Sequence, residues 1–365
     1  MKKILLLIPA LNAGGAERVI VTLANEWSKD NDVSLMVYND GTCFYELSEK
    51  VRLKPLNIVF RHKGIIRKLL IPYVEYKRYQ GIKKEIITGK YDFVLSFCLT
   101  TNIMASFFSL FHKDVSILVS ERNDPNEYSF ITQKTIRRFY NWCKAIVCQN
   151  KKVKNYFIEN GVSTKQIILP NPVNFNDIPA ERPQEIEHSI VTVGRLIKQK
   201  NHKLLIQAFN QIKDEFPDYI LKIYGIGPLK EELVDMVDKY GLNERVFFMN
   251  TAKKVMYEVN KSAAFVLPSN FEGFPNVLIE AMATGMPVVS SNFKTGIASD
   301  LIKSERNGYL FETNNLEELV GAMRQLLNRT YDFDMMGEEN RKIALEYKDN
   351  KVAELWLAEI EKTTQ

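Results

Sequence analysis

Two α/β domains in series, each built on a doubly wound parallel sheet, are what this sequence predicts, and three observations carry the prediction. Short continuous apolar runs recur, as in strands buried on both faces of a parallel sheet. Stretches of helical period separate them, the alternation that βαβ units require. The alternation halts once, over residues 169–188, where four prolines interrupt any periodicity, and then restarts. At 365 residues the chain has the length of two domains, and it is long enough to build its cores without staples.

Taken in order, residues 3–9 form the first strand and 12–15 a glycine-containing turn, and Val19, Ile20, Leu23, Ala24 and Trp27 line one face of a helix. Residues 33–38 are the second strand, and 93–97, 116–119 and 145–148 are further short strands with helical segments between them. Beyond the prolines, 189–193 is a strand, and Leu204, Leu205, Ala208, Phe209, Ile212 and Phe216 form a helical face. Residues 219–224, 246–249, 263–268 and 287–290 read as strands, with 229–240 and 276–284 as helices. Val352, Leu355, Trp356 and Ile360 mark a last amphipathic helix. The predicted division is 1–172, 173–345 and a terminal segment 346–365.

The composition, 45% hydrophobic and 25% charged, is that of an ordinary soluble globular chain. Cys43, Cys98, Cys143 and Cys148 form no CxxC pair and have no histidine at ligand spacing. They read as reduced buried thiols, and a zinc site is disfavoured. The uncharged stretch 93–111 carries Ser96, Thr100, Thr101, Asn102, Ser106 and Ser109, so it reads as a strand and a buried helix, not a membrane span. The two opening lysines and short apolar run lead into a turn instead of a small-residue cleavage site, so no signal peptide is expected.

The net charge of +5 is uneven. Residues 1–180 hold 26 Lys/Arg against 16 Asp/Glu, and the remainder 23 against 28. Residues 51–90 alone hold 11 basic and 2 acidic side chains, with Tyr73, Tyr76 and Tyr79 among them. Such a face suits an anionic membrane surface or a phosphate-rich partner, and an inert solvated face is the alternative. With no recognition motif, nucleic acid is not the expected partner.

Chemistry concentrates in four places. In 271–280, Pro275 suits the first turn of a helix that Val277, Leu278 and Ile279 continue. Backbone N–H groups over Phe274, Asn276 and Val277 then face outward from a helix N-terminus, an anion site by geometry and dipole. Glu272 precedes that helix and Glu280 lies more than a turn inside it. Carboxylates on either side of a phosphate-seeking helix end fit a ligand with hydroxyls flanking a diphosphate, such as a nucleotide sugar; solvated surface acids are the alternative. Gly194, Arg195 and Lys200 follow a strand directly, where α/β ligands sit, and the two cations can neutralise a diphosphate. Gly225 and Gly227 make another strand-to-helix turn, open to a base or ribose or merely tight. Gly14 and Gly15, followed by Arg18, open a helix after the first strand. Although Asp40 is suitably placed, that glycine spacing is wrong for a dinucleotide fingerprint, which disfavours an NAD oxidoreductase.

In this order, GGAER, GRLIKQKNH, YGIGPL and EGFPNVLIEAMATGMPVV closely resemble glycosyltransferase family 4, the retaining, nucleotide-sugar-dependent enzymes of the GT-B fold. The resemblance covers essentially the whole chain, and the E-x7-E spacing from Glu272 to Glu280 is its specific part. It implies two Rossmann-like domains facing a cleft, with the last helix crossing back onto the first domain. It implies that Arg195 and Lys200 hold the diphosphate of a UDP-sugar, Glu272 the sugar hydroxyls and Glu280 the ribose. Gly194, Gly225, Gly227, Phe274, Pro275, Asn276 and Val277 would complete that donor site, with no cofactor and no metal. Gly14, Gly15, Arg18 and Arg122 fall on the acceptor side. Many relatives place a histidine where this chain has Arg122; the arginine either binds an acceptor phosphate or pairs with Glu121 or Asp124. Relatives also often carry an acid at the position of Ile226.

The expected activity is transfer of a hexose or N-acetylhexosamine from a UDP-sugar to a growing, polyprenyl-diphosphate-linked glycan. The expected place is the cytoplasmic face of the inner membrane, held peripherally by the basic first domain. A GT-B-fold UDP-N-acetylhexosamine epimerase, which needs acid/base groups at the sugar, is the alternative, and a non-catalytic partner subunit is a third reading.

Overall fold

The computed structural model describes residues 1–59, 64–250, 252, 254–329 and 332–364. Two compact units emerge: Met1–Pro172 with Asp349–Gln365, and Val173–Lys348.

The first unit holds β1 (Lys3–Leu7), α1 (Gly15–Trp27), β2 (Asp32–Val37), β3 (Arg52–Pro55), α2 (Gly64–Gly89), β4 (Phe93–Phe97) and α3 (Leu99–Phe111). It continues with β5 (Ile117–Glu121), α4 (Phe130–Tyr140), β6 (Ala145–Cys148), α5 (Lys151–Glu159) and β7 (Lys165–Ile168). The sheet is parallel, in the order β3-β2-β1-β4-β5-β6-β7. Its central strands are buried on both faces, which is why β1, β4 and β6 read as unbroken apolar runs. The strand order reverses between β1 and β4, so the loops leaving those two strands border the place where such sheets bind ligands.

The second unit repeats the plan with β8 (Glu187–Val193), α6 (His202–Ile212), β9 (Ile220–Tyr224), α7 (Lys230–Lys239), β10 (Val246–Met249), α8 (Val255–Val259) and β11 (Ser262–Leu267). Then come α9 (Asn276–Ala283), β12 (Val288–Ser291), α10 (Ile297–Leu301), β13 (Gly308–Phe311), α11 (Leu316–Leu327) and α12 (Phe333–Leu345). Its parallel sheet runs β10-β9-β8-β11-β12-β13, reversing between β8 and β11. β8 begins at Glu187, inside the stretch expected to be linker.

Three strands escape the sequence reading: β3, β7 and β13. Each lies at a sheet edge, is four residues long and is solvated on part of its surface, so neither a continuous run nor an alternation marks it. The last boundary also moves. Residues 346–348 belong to the second unit, because the Val173 N–H donates to the Tyr347 carbonyl at 2.8 Å and Val173 bridges to Lys348. The basic face needs correcting too. Tyr73 and Tyr76 on α2 are exposed, but Tyr79 turns inward, edge-on to Phe107 with ring centroids 5.3 Å apart. Arg78 is buried against the Ile58 carbonyl and the Glu75 carboxylate. Arg61 and Lys63 lie outside the described residues, as do the side chains of Arg67 and Lys68. Among the described residues no helix is long and apolar enough to cross a membrane; 93–111 divides into β4 and α3. The cysteines are free, with only Cys148 fully buried.

The terminal helix α13 (Asp349–Thr364) packs on α1 within the first unit. Trp27 Nε1 donates to the Ala353 carbonyl at 2.9 Å, and Trp356 Nε1 to the Pro170 carbonyl at 2.7 Å. Trp356 is fully buried and stacks on Phe97, which ends β4. Truncating it removes a large apolar surface and leaves the half-buried Pro170 carbonyl without this donor. Trp356→Ala is expected to destabilise the first unit by about 3–5 kcal/mol. A two-unit chain need not unfold in one step, so the check is amide hydrogen exchange, faster in α1 and β4 while β8 and β11 keep their protection.

Candidate active site

The site of the second unit forms where its strand order reverses. β8 delivers Gly194 and Arg195, β9 delivers Gly225, and β11 delivers Ser269 and Glu272. Gly194 N–H donates to the Tyr224 carbonyl at 2.9 Å and Leu196 N–H to the Ile226 carbonyl at 2.9 Å, which extends the β8–β9 ladder past the sheet. The two turns then press so closely that a Cβ on Gly225 would sit 1.9 Å from the Gly194 oxygen, and one on Gly227 2.4 Å from the Leu196 oxygen. These glycines are therefore required by contacts within the chain, as the tight-turn alternative expects. Gly194 has a different job: the aliphatic stem of Lys200 lies across it, 3.3 Å from where a Cβ would stand.

A short helical turn, Lys198–Lys200, carries the cation onward and ends at Asn201, whose left-handed conformation (φ 48°) starts α6. This turn is laced to the β11 loop. Asn270 N–H donates to the Gln199 carbonyl at 2.8 Å, Asn270 Nδ2 to the Lys198 carbonyl at 2.8 Å, and Gln199 Nε2 to the Phe271 carbonyl at 3.0 Å. The lacing brings Lys200 Nζ to 2.6 Å from Glu272 Oε1, and both side chains are largely buried. Ser269 Oγ donates to the same oxygen at 2.6 Å. Arg195 is exposed and forms no ion pair among the described residues. An uncompensated guanidinium thus stands beside an internally neutralised ammonium–carboxylate pair.

Glu280 is buried within α9. Pro275 stands one residue before that helix instead of in its first turn, and Asn276 N–H already donates to the Phe274 carbonyl at 3.0 Å. Of the three N–H groups expected there, that of Asn276 is thus already engaged within the chain. Phe274 tilts against Tyr347 with ring centroids 5.9 Å apart, and Val277 is half-buried.

In the first unit, Gly14 precedes α1 and Gly15 begins it. Glu17 folds back so far that a Cβ on Gly14 would lie 2.2 Å from its carboxylate. Arg18 lies over the Tyr45 ring at 5.3 Å, and Tyr45 Oη donates to the Gly14 carbonyl at 3.0 Å. Arg122, just past β5, is buried over the Phe97 ring, and its Nη2 donates to Asn171 Oδ1 at 2.6 Å. The Gln149 amide, turned to suit both neighbours, donates to the Arg122 carbonyl and accepts from Nη2. Neither expected carboxylate pairs with the guanidinium: Asp124 takes Lys152 Nζ at 2.5 Å, and Glu121 takes Tyr128 and Tyr140 hydroxyls at 2.9 and 2.8 Å. Burial pushes the arginine down to about 10, and burial also raises the Glu121 carboxyl. Among the described residues no cluster of His, Cys, Asp and Glu is arranged to hold a metal ion.

Comparison with known proteins decides the family. Residues 174–343 match the model described as glycosyl transferases group 1, and residues 13–177 match glycosyltransferase family 4. The Campylobacter jejuni GalNAc-alpha-(1->4)-GalNAc-alpha-(1->3)-diNAcBac-PP-undecaprenol alpha-1,4-N-acetyl-D-galactosaminyltransferase is 30% identical over 330 residues, 90% of this chain and 89% of its own. The chain belongs to glycosyltransferase family 4. Among solved structures, HepE of Anabaena, determined with UDP and glucose, matches with a TM-score of 0.81 at 18% identity, over 99% of this chain and all of its own. The lipopolysaccharide outer core galactosyltransferase WaaB matches with a TM-score of 0.73 over 99% of both chains. At that identity the likeness establishes the GT-B fold of this glycosyltransferase.

Several residues that shape the glycosyltransferase site were not picked out from sequence. Ser269 stands at the S-x-x-E spacing of a reciprocal cap, but no helix starts there and its bond to Glu272 runs side chain to side chain, so that spacing does not foretell its role. Asn201, Asn270 and Ser291 gave no signal, because their partners are remote in sequence. His202 is also structural. It is buried, its Nε2–H donates to the Arg195 carbonyl at 3.2 Å, and burial drives it down to about 4. Below pH 6.5 the unfolded chain takes up a proton at His202 that the folded chain refuses until about pH 4. Its contribution to stability is therefore present above pH 6.5 and is lost as pH falls through that window, by at most about 3 kcal/mol. Urea midpoints measured between pH 7 and pH 4.5 should fall more for the native protein than for His202→Gln.

Proposed function

We propose that this glycosyltransferase retains anomeric configuration and moves a hexose or N-acetylhexosamine from a UDP-sugar to a diphosphate-lipid-linked glycan in surface polysaccharide synthesis. The observation that carries the reading is the uncompensated Arg195 beside the Lys200–Glu272 pair, at the carboxyl edge of β8 and β11. Such a group gains most from a ligand of strong negative charge, and a diphosphate next to a hydroxyl-bearing sugar meets both the cations and the carboxylate. The acceptor class is supported by the two Campylobacter jejuni relatives, whose names specify undecaprenol-linked saccharides, and by an Escherichia coli relative named for a UDP-Gal donor and a diphosphoundecaprenol acceptor.

In this reading the difficult step is separation of an oxocarbenium-like sugar from UDP. Arg195 and Lys200 stabilise the charge that accumulates on the departing phosphate, with the N-terminus of α9 nearby in the same unit. Glu272 accepts hydrogen bonds from sugar hydroxyls and Glu280 from the ribose. The departing phosphate takes the proton of the attacking acceptor hydroxyl on the same face, so no carboxylate pair is needed as nucleophile and acid. The two cations do the work of a metal ion, so the reaction proceeds in EDTA. On the first unit, Gly14, Gly15, Arg18 and Arg122 serve the acceptor, Arg122 offering its charge to an acceptor phosphate. The exposed Tyr73 and Tyr76 with the lysines of α2 hold the enzyme to the anionic cytoplasmic face of the inner membrane.

The test is UDP release across a panel of UDP-sugars in EDTA, with and without a bacterial lipid extract. Release that requires one sugar and the lipid fraction is expected, with product of retained configuration; sugar epimerisation without acceptor would reject the reading. Arg195→Ala should lower turnover by roughly two to three orders of magnitude, and near-normal turnover removes Arg195 from the mechanism. Flotation with phosphatidylglycerol vesicles should recover the protein at low salt and lose it at about 0.5 M, where the screening length is a few ångströms.

A further inference from the structure

We propose that Ser269, braced by Ser291, is a positioning residue that aims the Glu272 carboxylate at the sugar of the nucleotide-sugar donor; the proposal rests on the reading of the site given above. Both serines are fully buried. Ser291 ends β12, and its Oγ donates to the Ser269 carbonyl at 2.5 Å. Ser269 Oγ in turn donates to Glu272 Oε1 at 2.6 Å. Lys200 Nζ meets that same oxygen, also at 2.6 Å. Oε1 is thus held by two donors, whereas Oε2 has no partner among the described residues and keeps access to solvent. A carboxylate tethered by one oxygen and open at the other presents a fixed, charged acceptor, which is what a sugar hydroxyl needs.

Lys200 serves two anions. In the empty site its ammonium neutralises Glu272, and in the loaded site the diphosphate competes for it with more charge. As Nζ turns toward the diphosphate, Ser269 becomes the one protein donor left on Oε1. Without that hydroxyl the carboxylate is free to rotate after Lys200 and loses its alignment with the sugar. The bond from Ser291 keeps the Ser269 backbone from moving with it and satisfies a buried carbonyl. Ser269 therefore matters in the donor complex more than in the empty enzyme, and it matters to the sugar more than to the nucleotide.

The experiment compares UDP with the UDP-sugar that the panel selects, by calorimetry and by steady-state kinetics. Ser269→Ala is expected to bind UDP as the native enzyme does and the UDP-sugar about tenfold more weakly, with the donor KM raised in proportion, the scale of one hydrogen bond to a charged group. Ser269→Thr, which keeps the hydroxyl, should recover most of the loss, and Ser291→Ala should show a smaller loss in the same sense. Equal weakening of UDP and UDP-sugar, or no weakening of either, overturns the positioning role. If Ser269→Ala does not fold, Ser269→Cys makes the comparison with a weaker donor in nearly the same volume. Failure of the native enzyme to bind UDP at all instead overturns the reading of the site, and the proposal falls with it. Native UDP binding with an unaltered sugar preference in Ser269→Ala removes the proposal alone.

Discussion

The second unit's site depends on one steric constraint: the turns after β8 and β9 run backbone against backbone with no room for a side chain. At Gly225 a single methyl would overlap the Gly194 carbonyl, and at Gly227 it would overlap that of Leu196. Because backbone meets backbone there, neither turn can yield by a rotamer change. The segment from Gly194 to Leu196 is held on one side by that contact. His202 holds it from the other side, through the Arg195 carbonyl. Arg195 thus springs from a backbone gripped at both flanks while its own side chain remains in solvent. Rigid main chain with a solvated charged head is how a protein holds a cation ready without burying its charge.

A second level of order comes from charge accounting inside the site. Lys200 and Glu272 are both largely buried, and burying either alone would be costly. Each makes the other tolerable, and Ser269 adds a neutral donor. Asn270 and Gln199 tie the two loops that carry the pair, so the ammonium and carboxylate meet across seventy-two positions of sequence. The pair's apparent redundancy with Arg195 resolves physically. One cation is kept in reserve by an internal anion, and the other is open to solvent from the start.

How far the sequence could be read follows from how local each signal is. Strands buried on both faces announce themselves by composition alone, and β4 and β6 coincide with residues 93–97 and 145–148; β10, an edge strand, coincides with 246–249 because all four of its residues are apolar. Edge strands β3 and β7 carry lysine, arginine, glutamine or proline because one rim faces solvent, and β13 opens on a buried glycine pressed against the Val288 carbonyl, so nothing local separates them from loops. At the candidate site, Arg195, Lys200 and Glu272 were singled out from type and spacing, and the fold brings them to neighbouring loops. The residues that hold them were not. Ser291 reaches Ser269 across twenty-two positions, and Asn270 reaches Lys198 across seventy-two. Such support is visible only once the chain has folded. Gly225 and Gly227 were legible as special from spacing, and the folded chain supplies one reason, a backbone contact with the turn after β8.

Arg122 shows what a change of residue type does to a buried position. A neutral imidazole can donate at one nitrogen and accept at the other, and it changes charge near neutral pH. A guanidinium only donates, and even pushed down to about 10 it keeps its charge at neutral pH. In this chain its surroundings answer with the amides of Asn171 and Gln149 and the face of Phe97, all of them neutral. The nearby carboxylate of Glu121 is committed to two tyrosines and to the N–H groups of Arg122 and Asn123. Those bonds shape the loop that carries the arginine while leaving the guanidinium without a carboxylate in contact among the described residues. A histidine's ability to accept or to switch charge is therefore absent at this position. What stands in its place is a constant positive charge, desolvated and set over a ring at 5.0 Å from its centre, with its Nε hydrogen bonded to nothing among the described residues. Chemistry that uses this position in this enzyme must therefore work by attracting electron density, not by moving a proton.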